Sequence, residues 1–132
     1  MNEFRSSIAA QMPDGWIGKE SLTLLAPDVG ASVIVSSEPL HPMVDTEEYA
    51  EEQGRVLRDE FPGYKEIAFS PGLFFGGPFG CCRAFSWNPA GGVRVEQIQL
   101  YSAKNGRGYV ATATGFSALE EVLMDILSSI AF

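Results

Sequence analysis

The sequence has few of the side chains that a reaction centre or a metal site commonly requires. One of its 132 residues is histidine and two are cysteines, and the two cysteines are adjacent, at positions 81 and 82. A tetrahedral zinc site takes its ligands from separated pairs of Cys and His, which this chain does not have. We therefore expect no metal ion and no cofactor.

Positive charge and long apolar runs are also scarce. Nine Lys and Arg stand against 17 Asp and Glu, so the net charge is −8, and such a chain repels nucleic acid phosphates and anionic lipid. No apolar run reaches the roughly 18 residues that span a bilayer, and the first dozen residues show no signal-peptide pattern. These absences predict a cytoplasmic protein with no nucleic acid partner and no direct membrane insertion.

The distribution of hydrophobic residues predicts a single α+β domain over residues 1–132. Short turns between neighbouring strand-like runs favour antiparallel pairing. The break at Pro13-Asp14-Gly15 after the first run predicts that Trp16 lies against the core. Seven runs have strand character: SSIAAQM, SLTLLAPD, ASVIVSSEP, YKEIAFSPGLFF, FGCCRAFSW, VRVEQIQLYSA and GYVATATGF.

Two further segments change to a helical period. In DTEEYAEEQGRVLRDEF the apolar residues recur at three and four positions, Asp45 and Glu48 form a capping box, and Pro62-Gly63 ends the helix. The second helix is capped by Ser117, with Glu120 at the third position. Its apolar stripe comprises Leu119, Val122, Leu123, Ile126, Leu127 and Ile130.

The segment LFFGGPFGCC, residues 73–82, has three interpretations. A phosphate loop would lead into a helix and bring a Lys, whereas these glycines lead into CCRAFSW, which has strand character. A nucleophilic thiol needs a base, and the only histidine is His41. Neighbouring strand residues point to opposite faces, so Cys81 and Cys82 direct their sulfurs apart. We favour a hairpin turn at Gly76-Gly77, and a thiol-dependent enzyme using Cys82 and His41 remains the alternative.

Two groups of residues are candidates for binding another protein. Phe74 and Phe75 make the turn more aromatic than a solvent-facing hairpin tip requires. Gln97 and Gln99 are unusual on a strand of an apolar fold, and they indicate either a solvated sheet face or a surface that hydrogen-bonds a partner. The two-residue period of the strand VRVEQIQLY places five side chains on one face: Val93, Val95, Gln97, Gln99 and Tyr101.

Several segments read together resemble the DcrB-like family of the PsbP-like superfamily. The likeness rests on a Pro-x-Gly-Trp after the first strand, a Pro-Gly-Tyr that closes the first helix, and Gln97 and Tyr101 before GYVATATG. An amphipathic helix ending in Ser-Ser-Ile-Ala-Phe completes it. The resemblance implies a curved antiparallel sheet of about six to seven strands flanked by two main helices, a PsbP-like α/β/α sandwich.

The resemblance also implies a function. Members of this superfamily mostly bind other proteins, and they include cytosolic chaperones of type VI secretion effectors. These chaperones are homodimers that shield apolar, membrane-destined helices of the effector. We therefore expect a non-catalytic homodimer whose partner is the transmembrane region of a secreted effector, bound on one sheet face. A structural subunit of a larger assembly is a further alternative.

Overall fold

A computed structural model describes residues 8–73, 79–115 and 120–131. Within these residues six strands form one curved antiparallel sheet in the order β1-β2-β6-β5-β4-β3, which confirms the predicted α+β fold with two helices. The elements are β1 (Glu20–Ala26), β2 (Ala31–Pro39), α1 (Thr46–Glu60), β3 (Lys65–Leu73), β4 (Phe79–Trp87), β5 (Val95–Lys104), β6 (Arg107–Thr114) and α2 (Glu120–Ser129).

The predicted antiparallel pairing of neighbouring strands is confirmed for β1 with β2 and for β3 with β4. Between β1 and β2 the amide of Val29 donates to the carbonyl of Ala26 at 3.2 Å, and Gly30 adopts a φ of +68° that favours glycine. Strands β3 and β4 pair up to Leu73 and Phe79. Gly76 and Gly77 themselves lie outside the described residues.

Helix α1 begins and ends as its sequence predicts. The carboxylate of Asp45 accepts a hydrogen bond from the amide of Glu48 at 2.8 Å, and this bond satisfies one of the free N–H groups of the first turn. The helix ends at Glu60, before Pro62. The predicted second helix is also present as α2, whereas its predicted cap, Ser117, lies outside the described residues.

The two helices cover opposite faces of the sheet. Tyr49 and Ala50 of α1 pack on Cys81, Tyr101 and Val110. On the other face the α2 residues Leu123 and Leu127 pack on a second cluster, formed by Val33, Leu100, Ala111 and Ala113. The sheet is therefore the middle layer of an α/β/α sandwich.

The predicted first strand is not observed. Residues 8–12 of that run form no strand, and Trp16 is 69% exposed rather than packed against the core. Alternation of side chains is a local signal, whereas a strand also needs a neighbour to pair with. The edge position next to β2 is taken by β1. Ile8, Met12 and Ile17 are likewise exposed.

Candidate partner-binding surface

On the face of the sheet against which α1 packs, called here the α1 side, strand register aligns the side chains in rows across the sheet. One row runs from Thr23 through Ile34 and Thr112 to Gln99, and the next ends at Gln97. The part of this side that lies on β1, β2, β6 and β5, away from the buried α1 cluster, is called here the open face. It consists of Ser21, Thr23, Leu25, Ser32, Ile34, Ser36, Thr112, Thr114, Gln97 and Gln99.

The open face carries no charged side chain. Its members are hydroxyl, amide and aliphatic residues, although Asp, Glu, Lys and Arg make up 20% of the chain. Leu25 is 70% exposed and Ile34 is 42% exposed, so apolar area on this surface is open to contact. The surface thus combines exposed aliphatic groups with neutral hydrogen-bonding groups.

Helix α1 leaves this surface uncovered because it packs mainly on β4 and β5. Tyr101 lies under the helix and is fully buried, which corrects the expectation that its ring takes part directly in a partner-binding surface. Val95, Gln97 and Gln99 are half-buried. Phe74 and Phe75, the other predicted partner-binding residues, lie outside the described residues.

Each glutamine of the open face is held by two hydrogen bonds. The indole nitrogen of Trp87 donates to Oε1 of Gln97, and Nε2 of Gln97 donates to Oγ1 of Thr114, both at 2.8 Å. The hydroxyl of Tyr101 donates to Oε1 of Gln99 at 2.5 Å, and Nε2 of Gln99 donates to Thr112 at 3.0 Å. Both amides are therefore fixed in place on the sheet.

Arg83 links this surface to the interior under α1. Its side chain is 4% exposed, and Nη1 donates to the Tyr101 hydroxyl at 2.9 Å and to the Ala50 carbonyl at 3.0 Å. Nε donates to a carboxylate oxygen of Glu66 at 2.8 Å. Burial raises the pKa of Tyr101, although Arg83 acts in the opposite direction. The Tyr101 hydroxyl therefore keeps its proton at neutral pH and remains a donor.

A groove runs along α1 at the border of the open face. Its volume is about 490 Å³. The floor includes Ser36, Gln99 and Thr112, and the wall includes Tyr49 and Gln53 of the helix. Tyr49 donates to Glu38 at 3.2 Å, and Glu38 also pairs with Lys19 at 3.0 Å. Lys19, Glu20 and Glu38 all line the groove, so charged groups border the open face there.

The two cysteines point in opposite directions, as predicted from their positions on one strand. Cys81 is buried under α1, and Cys82 packs against the α2 cluster. Burial raises the pKa of both thiols, which disfavours the thiolate that a nucleophile requires. The imidazole Nδ1 of His41 accepts a hydrogen bond from the amide of Met43 at 3.1 Å, in an exposed loop.

Among the described residues no three His, Cys, Asp or Glu side chains converge as a metal-binding group. No helix in the part of the chain that the structure describes is long and apolar enough to cross a membrane.

Sequence reasoning missed several residues of this surface. Thr112 and Thr114 alternate along β6 and Ile34 lies in β2, so a strand period could have placed them on one face of their own strands. Trp87 and Arg83 carried no such signal, because their roles depend on the register between neighbouring strands.

Comparison with known proteins shows a likeness of fold. No protein-family model matches the chain, and no curated protein matches it in sequence. It is similar to the crystal structure of PA94 from Pseudomonas aeruginosa, a protein of unknown function that has been suggested to be a regulator. The TM-score is 0.74 at 16% identity, over 98% of this chain and 94% of that one. LpqN, involved in cell envelope biogenesis of Mycobacterium tuberculosis, gives a TM-score of 0.48 at 17% identity, over 78% and 62% of the two chains. The chain therefore shares the fold of PA94 over nearly its whole length.

Proposed function

We propose that this chain is a non-catalytic protein-binding module that holds an apolar, uncharged segment of another protein on its open face. The observation that carries the proposal is the absence of charge from that face in a chain with a net charge of −8. A charged partner segment would lose its hydration there without gaining an opposite charge. An apolar helix loses no such hydration, and it gains contacts with Leu25 and Ile34.

The hydroxyl and amide groups of the open face suit the polar positions of such a helix. An apolar helix of membrane origin contains occasional Ser, Thr or Asn side chains, which need hydrogen-bond partners once they leave water. Gln97 and Gln99 each retain hydrogen-bonding capacity beyond their bonds within the sheet. The surface can therefore bind apolar area and satisfy isolated polar groups at the same time.

The resemblance to the DcrB-like family suggests a more specific function for the module. We propose a cytoplasmic chaperone or adaptor of a type VI secretion effector, which shields the transmembrane segments of that effector before export. The α/β/α sandwich with an uncharged sheet surface supports this proposal. The raised pKa values of Cys81 and Cys82, and their positions on opposite faces of the sheet, favour binding over thiol chemistry.

We also propose that the module is a homodimer. Four large apolar side chains before β1 are exposed in the single chain, and a second copy would cover them: Ile8, Met12, Trp16 and Ile17. Light scattering coupled to gel filtration should then give about twice the chain mass of 14.3 kDa. Trp16→Ser should shift the mass towards the monomer, and a monomeric mass for the native chain would contradict the proposal.

A capture experiment tests the binding function. The chain is co-expressed with a soluble carrier protein fused to a Leu/Ala-rich helix of about 20 residues that contains two Ser. We expect co-purification with the native chain. Ile34→Asp should abolish it, because the carboxylate would be desolvated under the helix. Gln97→Ala combined with Gln99→Ala should weaken it.

The matched control is Val122→Asp. Val122 is also β-branched, is 53% exposed, and lies on α2 across the sheet from the open face. This variant should capture the fusion as well as the native chain does. Equal capture by Ile34→Asp and the native chain, with both folded, would overturn the proposed surface.

A further inference from the structure

We propose that Trp87 and Tyr101 are positioning residues of the open face, each of which fixes the orientation of one glutamine amide. As a result, Gln97 directs its oxygen towards Trp87 of β4, Gln99 directs its oxygen towards Tyr101 of its own strand, and both glutamines direct their nitrogens towards β6. The importance of these amide orientations for partner binding rests on the proposed function. The orientations themselves are a property of the folded chain alone.

The orientation of Gln97 follows from the chemistry of its neighbour. An indole nitrogen can donate a hydrogen bond but cannot accept one. The amide atom that faces Nε1 of Trp87 must therefore be the oxygen, and the amide nitrogen then faces Thr114, whose hydroxyl accepts. The indole is itself held against Phe61, with ring centroids 4.3 Å apart.

The orientation of Gln99 is fixed through one additional step. The guanidinium of Arg83 can only donate, so the oxygen of Tyr101 accepts from it and the hydroxyl hydrogen is free to point elsewhere. That hydrogen points to Gln99, which must present its oxygen. The amide nitrogen again faces β6, at Thr112.

The two amides consequently form a directional pair. They lie two residues apart on β5, about 7 Å along the strand, and each keeps one N–H and one oxygen lone pair unused. A partner hydroxyl or amide would meet a donor on the β6 side of each glutamine, and an acceptor beside Trp87 at Gln97 and beside Tyr101 at Gln99. Because the amides are already oriented, binding would not have to restrict their rotation.

Nuclear magnetic resonance of the ¹⁵N-labelled full chain tests this inference without any partner. Tyr101→Phe removes only the hydroxyl, so the side-chain amide signals of Gln99 should move towards those of a freely rotating amide while those of Gln97 stay in place. Trp87→Phe should produce the reverse pattern. Backbone signals distant from each substitution report whether the variant is folded.

A complementary measurement uses a surface substitution that should not disturb folding. Gln97→Ala should shift the indole N–H signal of Trp87, whereas Gln99→Ala should leave it unchanged. The exposed indole of Trp16 is the internal control, and its signal should stay in place in both variants. The inference is supported if each substitution shifts only the signal of the side chain to which the replaced residue is hydrogen-bonded.

Signals that do not move, or that move together in every variant, would overturn the positioning role. The capture of the Leu/Ala-rich helix decides separately whether the open face binds a partner. Failure of that assay with selective shifts present would reject the proposed function and leave the positioning role intact.

Discussion

Gly54 of α1 lies directly against the guanidinium of Arg83. A Cβ atom at position 54 would stand 2.5 Å from Nη2 and 2.8 Å from Cζ of Arg83, closer than unbonded atoms can approach. Arg83 cannot easily move aside, because it is bonded to Ala50, Tyr101 and Glu66. A helical glycine, which ordinarily weakens a helix, is here the residue that lets α1 approach the sheet.

Gly54→Ala should therefore destabilise the protein even though alanine favours helices. We expect the free energy of unfolding to fall by about 1–2 kcal/mol, since displacement of the guanidinium outweighs a gain of about 1 kcal/mol in helix propensity. Urea denaturation measures this. In an Arg83→Leu background the same change should become stabilising. Equal destabilisation in both backgrounds would show that Arg83 is not the obstacle.

Glu66→Gln should also lower the free energy of unfolding, by about 1–2 kcal/mol. The substitution keeps the shape of the side chain but removes the charge opposite Arg83, which is 4% exposed, whereas Glu66 is 41% exposed. The control is Glu52→Gln, which removes the partner of the exposed Arg55 and should change stability little. Similar effects of the two substitutions in urea denaturation would contradict a structural role for the Glu66–Arg83 pair.

Stability should decrease at alkaline pH because of the thiols. Burial raises the pKa of Cys81, with a further contribution from the charge of Glu47, and burial also raises that of Cys82. The pKa of each thiol is thus higher in the folded protein than in the unfolded chain, where it is about 8.5. The folded state keeps its full stability below that unfolded-state pKa, and it loses stability as the pH rises through the folded-state pKa. The melting temperature should therefore fall as the pH rises through about 8.5 and into the more alkaline interval above it.

The double variant Cys81→Ala, Cys82→Ala isolates this contribution. Its melting temperature should fall less steeply over the same pH interval than that of the native chain. Tyr101, whose pKa burial also raises, remains in both proteins. Parallel slopes would mean that the thiols do not titrate in this interval.

Asp45→Ala should lower the free energy of unfolding by about 1 kcal/mol through the loss of the α1 cap. The Asp45 carboxylate accepts from the amide of Glu48, and alanine offers no acceptor. Asp45→Ser is the rescue variant, because serine is an equally good N-cap and should restore most of the stability. If serine behaves like alanine in urea denaturation, the hydrogen bond is not the source of the effect.

Much of the fold could be predicted because its signals are local. Strands β1 to β6 follow runs of β-branched and apolar residues between turns, and Asp45 and Glu48 mark the start of α1. The first predicted strand failed because alternation in residues 6–12 does not reveal whether a neighbouring strand is available. Pairing is decided by the whole sheet.

The candidate surface could be predicted only in part, for a similar reason. The two-residue period placed Gln97, Gln99 and Tyr101 on one face, and their positions in the structure agree. The same period cannot show where α1 crosses that face, so Tyr101 was expected at the surface and is buried. The contacts of Trp87 and Arg83 with the glutamine network depend on strand register, which the sequence does not display.

The strand order has a consequence for synthesis on the ribosome. Strand β2 is made before α1 and three further strands, yet its inner neighbour is β6, the last of the six described strands. The hairpin of β1 and β2 must therefore wait with one edge unpaired until β6 has emerged. Such distant pairing slows folding and leaves an open edge to which other nascent chains could attach.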